Sequence, residues 1–258
     1  MESSLLREID FIIDNVYIRN RSQAIEHLVR MAAGDNRTAV IMAGGPEERI
    51  QIGSEYRPTV PVSGKTVIER AVESLRGFGF RNIFIIARQN VLTRIFNIIK
   101  DGSLYGVRLN YIEEKDSKGS ADSLQLLKGK LTSEFLVVYG DLLFDRINLE
   151  EIWNNHLKQS AIATIMMTTS AKPSEKGTLR VEGNKVLTFQ QKPKKSDIYL
   201  VFSPIFVASP EIFNYGGGSL ETDVFPQIAE RRLLNGYLSS EKEVHIHTKD
   251  DARKRTRE

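Results

Sequence analysis

Apolar positions change their period twice along the chain. Leu5, Leu6, Ile9, Ile12, Ile13 and Val16 recur at helical spacing, and Ile18-Arg19-Asn20-Arg21 interrupts them. Ser22 then caps a second stripe of Ala24, Ile25, Leu28, Val29 and Ala32, closed by Gly34. Two short amphipathic helices cannot bury both stripes against each other, so this pair is expected to pack on a second copy of itself or on the rest of the chain. From Thr38 onward, apolar runs at 38–43, 82–87 and 135–139 predict buried strands, 107–112 is strand-like, and the stripes at 66–78, 90–100 and 120–127 predict helices between them. Later runs at 161–169, 178–181, 185–189 and 199–208 read as further strands, with Gly183-Asn184 as a hairpin turn. A helix over 221–234 and a strand over 244–248 complete the pattern.

Continuous apolar strands alternating with helices predict an α/β fold. The expected form is a Rossmann-like, mostly parallel sheet with helices on both faces and an antiparallel extension, preceded by a small two-helix module. The division expected is 1–35 for the helix pair, 36–251 for the main domain and 252–258 for a basic tail. Composition narrows the chemistry. The 258 residues are 41% hydrophobic and contain no cysteine and four histidines, so disulfides and thiolate metal sites are excluded and a metal must be held by carboxylates or imidazoles. A net charge of +3 permits contact with nucleotides or nucleic acid without requiring it. Lys249, Arg253, Lys254, Arg255 and Arg257 crowd the last ten residues and read as a solvated end. No run approaches a membrane span and the first residues carry acids where a secretory signal is apolar, so a cytoplasmic location is expected.

The candidate chemistry begins where the first strand runs into Gly44-Gly45. Paired glycines after a buried strand let backbone N–H groups approach a phosphate, although a plain tight turn uses glycine as well. Asp141 follows the strand 135–139, and an acid just past a buried strand is costly unless it binds something. Together with Ala43, Arg49, Pro58, Pro61, Gly64 and Lys65, this stretch resembles the opening signature of the sugar-phosphate nucleotidyltransferases.

The resemblance runs over residues 38–251 and implies a nucleotide or sugar-phosphate ligand and a magnesium ion. It implies that Ala43, Gly44, Gly45, Gly119, Ser120 and Ala121 bind the nucleotide, and that Arg49, Arg57 and Lys192 are catalytic groups. Asp141 and, from the last strand, His245 would hold the metal. Locally, Ser120 is equally a helix cap, and Lys192 equally surface charge beside Lys194 and Lys195. The sequence departs from the family pattern at Glu47 and Glu48, where two carboxylates would repel a triphosphate, at Arg57 and Gln191, at Phe202 and Pro204 in the sugar strand, and at His245, where an aspartate is usual. His245 and His247 lie two apart on one strand face and suit a softer metal.

Residues 17–25 resemble the turn and second helix of ribbon-helix-helix DNA-binding proteins, which implies phosphate contacts from Arg19, Arg21 and the helix start at Ser22 and a homodimer. Too few residues precede the first helix for that family's base-reading ribbon. Either the true start lies upstream, or the module has kept dimerisation alone. The departures favour a regulatory protein whose transferase-like domain binds a nucleotide or sugar phosphate; the alternative is an active enzyme that makes a nucleotide-sugar and diphosphate.

Overall fold

In the computed structural model, residues 3–13, 18–34 and 37–256 are described. The main sheet has nine strands: β1 Arg37–Met42, β2 Phe80–Ala87, β3 Arg108–Glu113, β4 Phe135–Tyr139, β5 Ala163–Thr169, β6 Gly177–Glu182, β7 Lys185–Gln191, β8 Leu200–Ala208 and β9 Leu234–Leu238. Its first half is parallel. β1 pairs with β2 (Ala39 opposite Ile83) and β4 (Ala39 opposite Leu136), and β3 lies outside β2. β8 reverses direction against β4, with Val207 opposite Leu136, and begins the expected antiparallel extension. Beyond it the pairings run β8 to β5, β5 to β9, β9 to β7, β7 to β6 and back to β8 at Thr178 and Val201. The extension therefore curls on itself.

Alternation along β1 fixes both layers. Ala39 and Ile41 face a core with Ile68, Leu75 and Ile95 from the helices Val67–Gly77 and Gln89–Ile99. Val40 and Met42 face the opposite core with Ala121, Leu124 and Ile228. A strand buried on both faces needs a continuous apolar sequence, which is what made these elements legible. Thr66 caps its helix through Glu69, and Asn148 caps the helix Leu149–Leu157 through the Glu150 N–H.

Three expectations are corrected. The helix expected over 221–234 is a wide turn, Leu220–Val224, and a short helix, Phe225–Glu230. Arg232, at a φ of +58°, turns the chain out of that helix, and Leu234, Asn235 and Gly236 are buried in β9. Strand pairing against β5 outweighs the helical stripe. The strand expected over 244–248 is only Val244–His245. The described part of the expected basic tail, 252–256, belongs to a helix, Lys249–Thr256, whose Ala252 is buried with Ile52, Val60, Val62, Val67, Leu143 and Ile246.

The N-terminal helices are Ser3–Phe11 and Arg21–Gly34. Asn20, not Ser22, caps the second, its Oδ1 accepting the Gln23 N–H at 2.9 Å, while Gln23 Oε1 accepts the Arg19 N–H at 2.7 Å. Arg21 spans the pair to Asp10 with two hydrogen bonds of 2.6 and 2.7 Å. Ile9 and Ala24 are buried, but Phe11 is 93% and Val29 59% exposed. Val16 and Tyr17 lie outside the described residues. Among the described residues no helix is long and apolar enough to cross a membrane.

Ile41 sits at the centre of the first core with no exposed surface. Replacing it with Ala should cost about 2–5 kcal/mol in urea unfolding. Leu104→Ala, at an 88% exposed position, should change stability by less than about 0.5 kcal/mol.

Candidate active site

The cleft forms where β1 and β4 end side by side. Gly140 donates its N–H to the Met42 carbonyl at 2.8 Å, and a Cβ on Gly140 would stand 2.7 Å from the Ala43 Cβ. Gly45 has a φ of +112°, which favours glycine, and a Cβ on Gly44 would lie 1.7 Å from Glu114 Oε2. The absence of side chains at 44 and 140 is thus a steric requirement. A cavity of about 150 Å³ opens there, lined by Met42, Ala43, Gly44, Arg57, Tyr139 and Asp141 among others.

Asp141 is the electrostatic centre. Arg57 Nη1 reaches its Oδ2 at 3.0 Å and His247 Nε2 reaches the same oxygen at 3.1 Å. Burial pushes the Asp141 carboxyl up, but the His247 hydrogen bond and the charges of His245, His247 and Arg57 outweigh it and hold the group below the ordinary aspartate range. Arg57 is itself positioned by the Arg49 carbonyl, which accepts from Nη2 at 2.9 Å, and its buried Nε has no hydrogen-bond partner.

The histidine-bearing segment is locked to Asp141 through its backbone. His245 pairs with Leu142, Val244 with Leu143, and the Ile246 N–H donates to the Asp141 carbonyl at 2.8 Å. Behind it lies Glu243, its side chain 1% exposed. Glu243 Oε2 accepts from Ser203 Oγ at 2.6 Å, while Oε1 faces His245 Nε2 at 3.2 Å and Lys176 Nζ at 3.3 Å. Burial alone would raise the Glu243 pKa, yet the bonds from His245 and Ser203 and the charge of Lys176 bring it down to about 2. An ionised carboxylate only accepts, so His245 donates its Nε2–H to Glu243.

The structure brings Ala43, Gly44, Gly45, Arg57, Asp141 and His245 to one end of the sheet, and adds His247. Other expected residues sit differently. The Arg49 side chain is exposed, on a single helical turn Glu47–Ile50. Glu47 is turned to Tyr56, whose hydroxyl it accepts at 2.9 Å, and to Asn90, which removes part of the repulsion expected of it. Lys192 is exposed at a φ of +44°; the lysine that reaches the Glu243–His245 pair is Lys176.

The 119–121 segment is roofed by the chain itself. The Ala121 N–H donates to the Gly218 carbonyl at 3.0 Å, and a Cβ on Gly119 would meet that oxygen at 2.6 Å. Ser120 Oγ donates to Glu221 at 2.7 Å and accepts from the Leu220 N–H at 2.8 Å, and Glu221 also takes the Tyr139 hydroxyl. These donors serve the 216–221 loop.

Glu114 and Glu243 escaped the sequence reading. Glu114 follows the last residue of β3 at the same end of the sheet as Gly44, is 3% exposed, and its Oε2 has no hydrogen-bond partner. Its place one residue beyond a strand was the available signal. For Glu243 the signal was alternation with 245 and 247.

Magnesium takes oxygen ligands in near-octahedral array and keeps several waters. The donors here are one carboxylate and two imidazoles, with an arginine on the carboxylate, and they do not fit it.

A family model described as nucleotidyl transferase matches residues 38–249. A UTP–glucose-1-phosphate uridylyltransferase of Synechocystis is 27% identical over 76% of this chain and 56% of its own length. A mannose-1-phosphate guanyltransferase of Yarrowia lipolytica is 26% identical over 70% of this chain and 52% of its own. The chain spans about half the length of the curated relatives it matches. A crystal structure of a Bacillus anthracis protein assigned as a glucose-1-phosphate thymidylyltransferase shares the fold, with a TM-score of 0.76 at 18% identity over 86% of this chain and 94% of that one.

Gly44→Ala should destabilise the chain by about 1–3 kcal/mol through the collision with Glu114. In a Glu114→Ala background the same change should cost clearly less, a coupling measurable as a double-mutant cycle in chemical denaturation.

Proposed function

The chain belongs to the nucleotidyl transferase family, and on that premise we propose that its cleft transfers a nucleotidyl group from a nucleoside triphosphate to a sugar 1-phosphate. A phosphate oxygen of the sugar 1-phosphate attacks the α-phosphorus and forms a new P–O bond. The bond from that phosphorus to the bridging oxygen breaks, and diphosphate leaves. The observation that carries this reading is the convergence of Gly44, Gly45, Arg57 and Asp141 at the carboxyl ends of β1 and β4, the position where open α/β sheets take their ligands.

In this reading the Gly44–Gly45 backbone approaches the phosphates closely, and Arg57 exchanges part of its contact with Asp141 for a phosphate oxygen. Positioning and charge neutralisation are the main contributions a protein makes to such a displacement.

Glu114 supports a choice of base. A carboxylate offers two acceptors and no donor, and guanine presents adjacent N1–H and N2–H donors that match it. Uracil and thymine place one N–H between two carbonyl oxygens, and adenine and cytosine set their amine beside a ring acceptor. Guanine is therefore the base that satisfies Glu114 without opposing lone pairs.

A regulatory role is favoured by a different observation, the exposed apolar face of the N-terminal helices around Phe11 and Val29. It takes the module as a dimerising element that touches DNA phosphates weakly through Arg19, with the cleft as a binding pocket. Removing residues 1–34 should then turn a dimer into a monomer by light scattering, and DNA binding should fall steeply with salt.

Diphosphate release separates the two readings. With each common nucleoside triphosphate, glucose or mannose 1-phosphate, and divalent cations supplied in turn, turnover is expected and should be fastest with GTP. Arg57→Ala should lower it by about 10² or more, and Glu114→Gln should weaken the preference for GTP. No turnover with any combination, while a nucleotide still binds, would overturn the transferase reading in favour of the regulatory one.

A further inference from the structure

We infer that Asp141, His245 and His247 form a binding site for a nitrogen-preferring divalent cation of the zinc, cobalt and nickel class, in place of an oxygen-ligated magnesium ion. The ligand atoms of these three residues all lie within 4.8 Å of one another. Asp141 Oδ2 and His247 Nε2 are 3.1 Å apart, which subtends roughly a right angle at an ion about 2.1 Å from each. Two imidazoles and a carboxylate make a donor set that zinc and its neighbours accept and magnesium does not.

The second argument is the carboxylate behind the ligand. Metal-bound histidines generally donate their other ring N–H to a carboxylate, which fixes the tautomer and the ring plane. Glu243 occupies that place. It takes Nε2–H of His245 and is itself held by Ser203 and Lys176 in a position with 1% exposure. That contact leaves Nδ1 as the ring nitrogen His245 can offer to an ion.

The third argument is rigidity. The Ile246 N–H to Asp141 carbonyl bond and the pairing of Val244–His245 with Leu142–Leu143 fix the two ligand-bearing segments to each other before any ion arrives. A site built across strands in register loses little entropy on binding. The His247 side chain is 50% exposed, so an ion there keeps a side open to water or to a ligand oxygen. Arg57 competes for Asp141 Oδ2, and an ion would displace it or take the other carboxylate oxygen.

The inference stands apart from the transferase reading, because it concerns binding and not turnover. The test uses the untagged full chain, stripped of metal, titrated calorimetrically with zinc, cobalt and magnesium chlorides, with visible absorption of bound Co²⁺ as a second readout. Expected are one tight Zn²⁺ or Co²⁺ per chain, with Mg²⁺ weaker by at least about 10²-fold, and imidazole-type Co²⁺ bands. His247→Gln, at a half-exposed position that folding tolerates, and His245→Gln should each weaken Zn²⁺. Glu243→Gln should weaken it by about 10- to 100-fold, as loss of a positioning residue does. His245→Asp with His247→Asp should reverse the preference toward Mg²⁺. Equal affinity for Mg²⁺ and Zn²⁺, no Zn²⁺ binding, or Zn²⁺ binding unchanged in the His245→Gln/His247→Gln double variant would each overturn the inference. Tight Zn²⁺ binding with no diphosphate release would leave it intact and count only against the transferase reading.

Discussion

Everything at this cleft depends on β1 and β4 ending side by side with no side chain between them. The contact of Gly140 with Ala43 and Met42 brings the two backbones together, and Gly44 leaves room for Glu114 on the other flank. Where two parallel strands approach that closely, the residue after each is aimed into one shared space. Asp141 is placed by this constraint and needs no loop to carry it. A larger residue at 140 would push against Ala43 and the end of β1, and one at 44 would displace the Glu114 carboxylate.

Around Asp141 the chain has gathered three nitrogen-bearing side chains. Arg57, His245 and His247 all lower its pKa against the effect of burial. A second anion, Glu243, sits one layer further back and holds His245 in place. The result is a linked row of polar groups, with Lys176, Ser203 and His245 on Glu243 and with His247 and Arg57 on Asp141. Such a row orients its members, because each is held by a partner of defined geometry.

The parallel half of the fold was legible because its strands are buried on both faces and so are apolar without interruption. Ile83, Ile85 and Ile86 on β2, or Leu136 to Val138 on β4, leave no other reading. The curled extension was less legible. Leu234 and Asn235 follow a helical stripe and become strand only because β5 offers them partners far away in sequence, which no local pattern contains. The cleft divided along the same line. Gly44, Gly45 and Asp141 announce themselves at strand ends, whereas Gly119, and not Ser120 as expected, holds the cap position of its helix, and the segment is covered by the 216–221 loop. Glu114 and Glu243 matter through burial and partners, and single acids in a sequence carry no mark of either.

The helix Lys249–Thr256 ties segments of the site together from outside the cleft. Ala252 packs into a small satellite core with Ile52 and Val60, which flank Arg57 in sequence, and with Leu143 and Ile246, which flank the Asp141 and histidine segments. The contact of His247 with Asp141 closes 106 residues of chain, and that of Arg57 with Asp141 closes 84. The pairing of Ala39 with Leu136 between β1 and β4 spans a comparable separation, so once the sheet is formed the ends of these contacts are already near one another. The last helix then fastens the Arg57 and histidine segments to one small core, and the charged cluster shares the stability of that core.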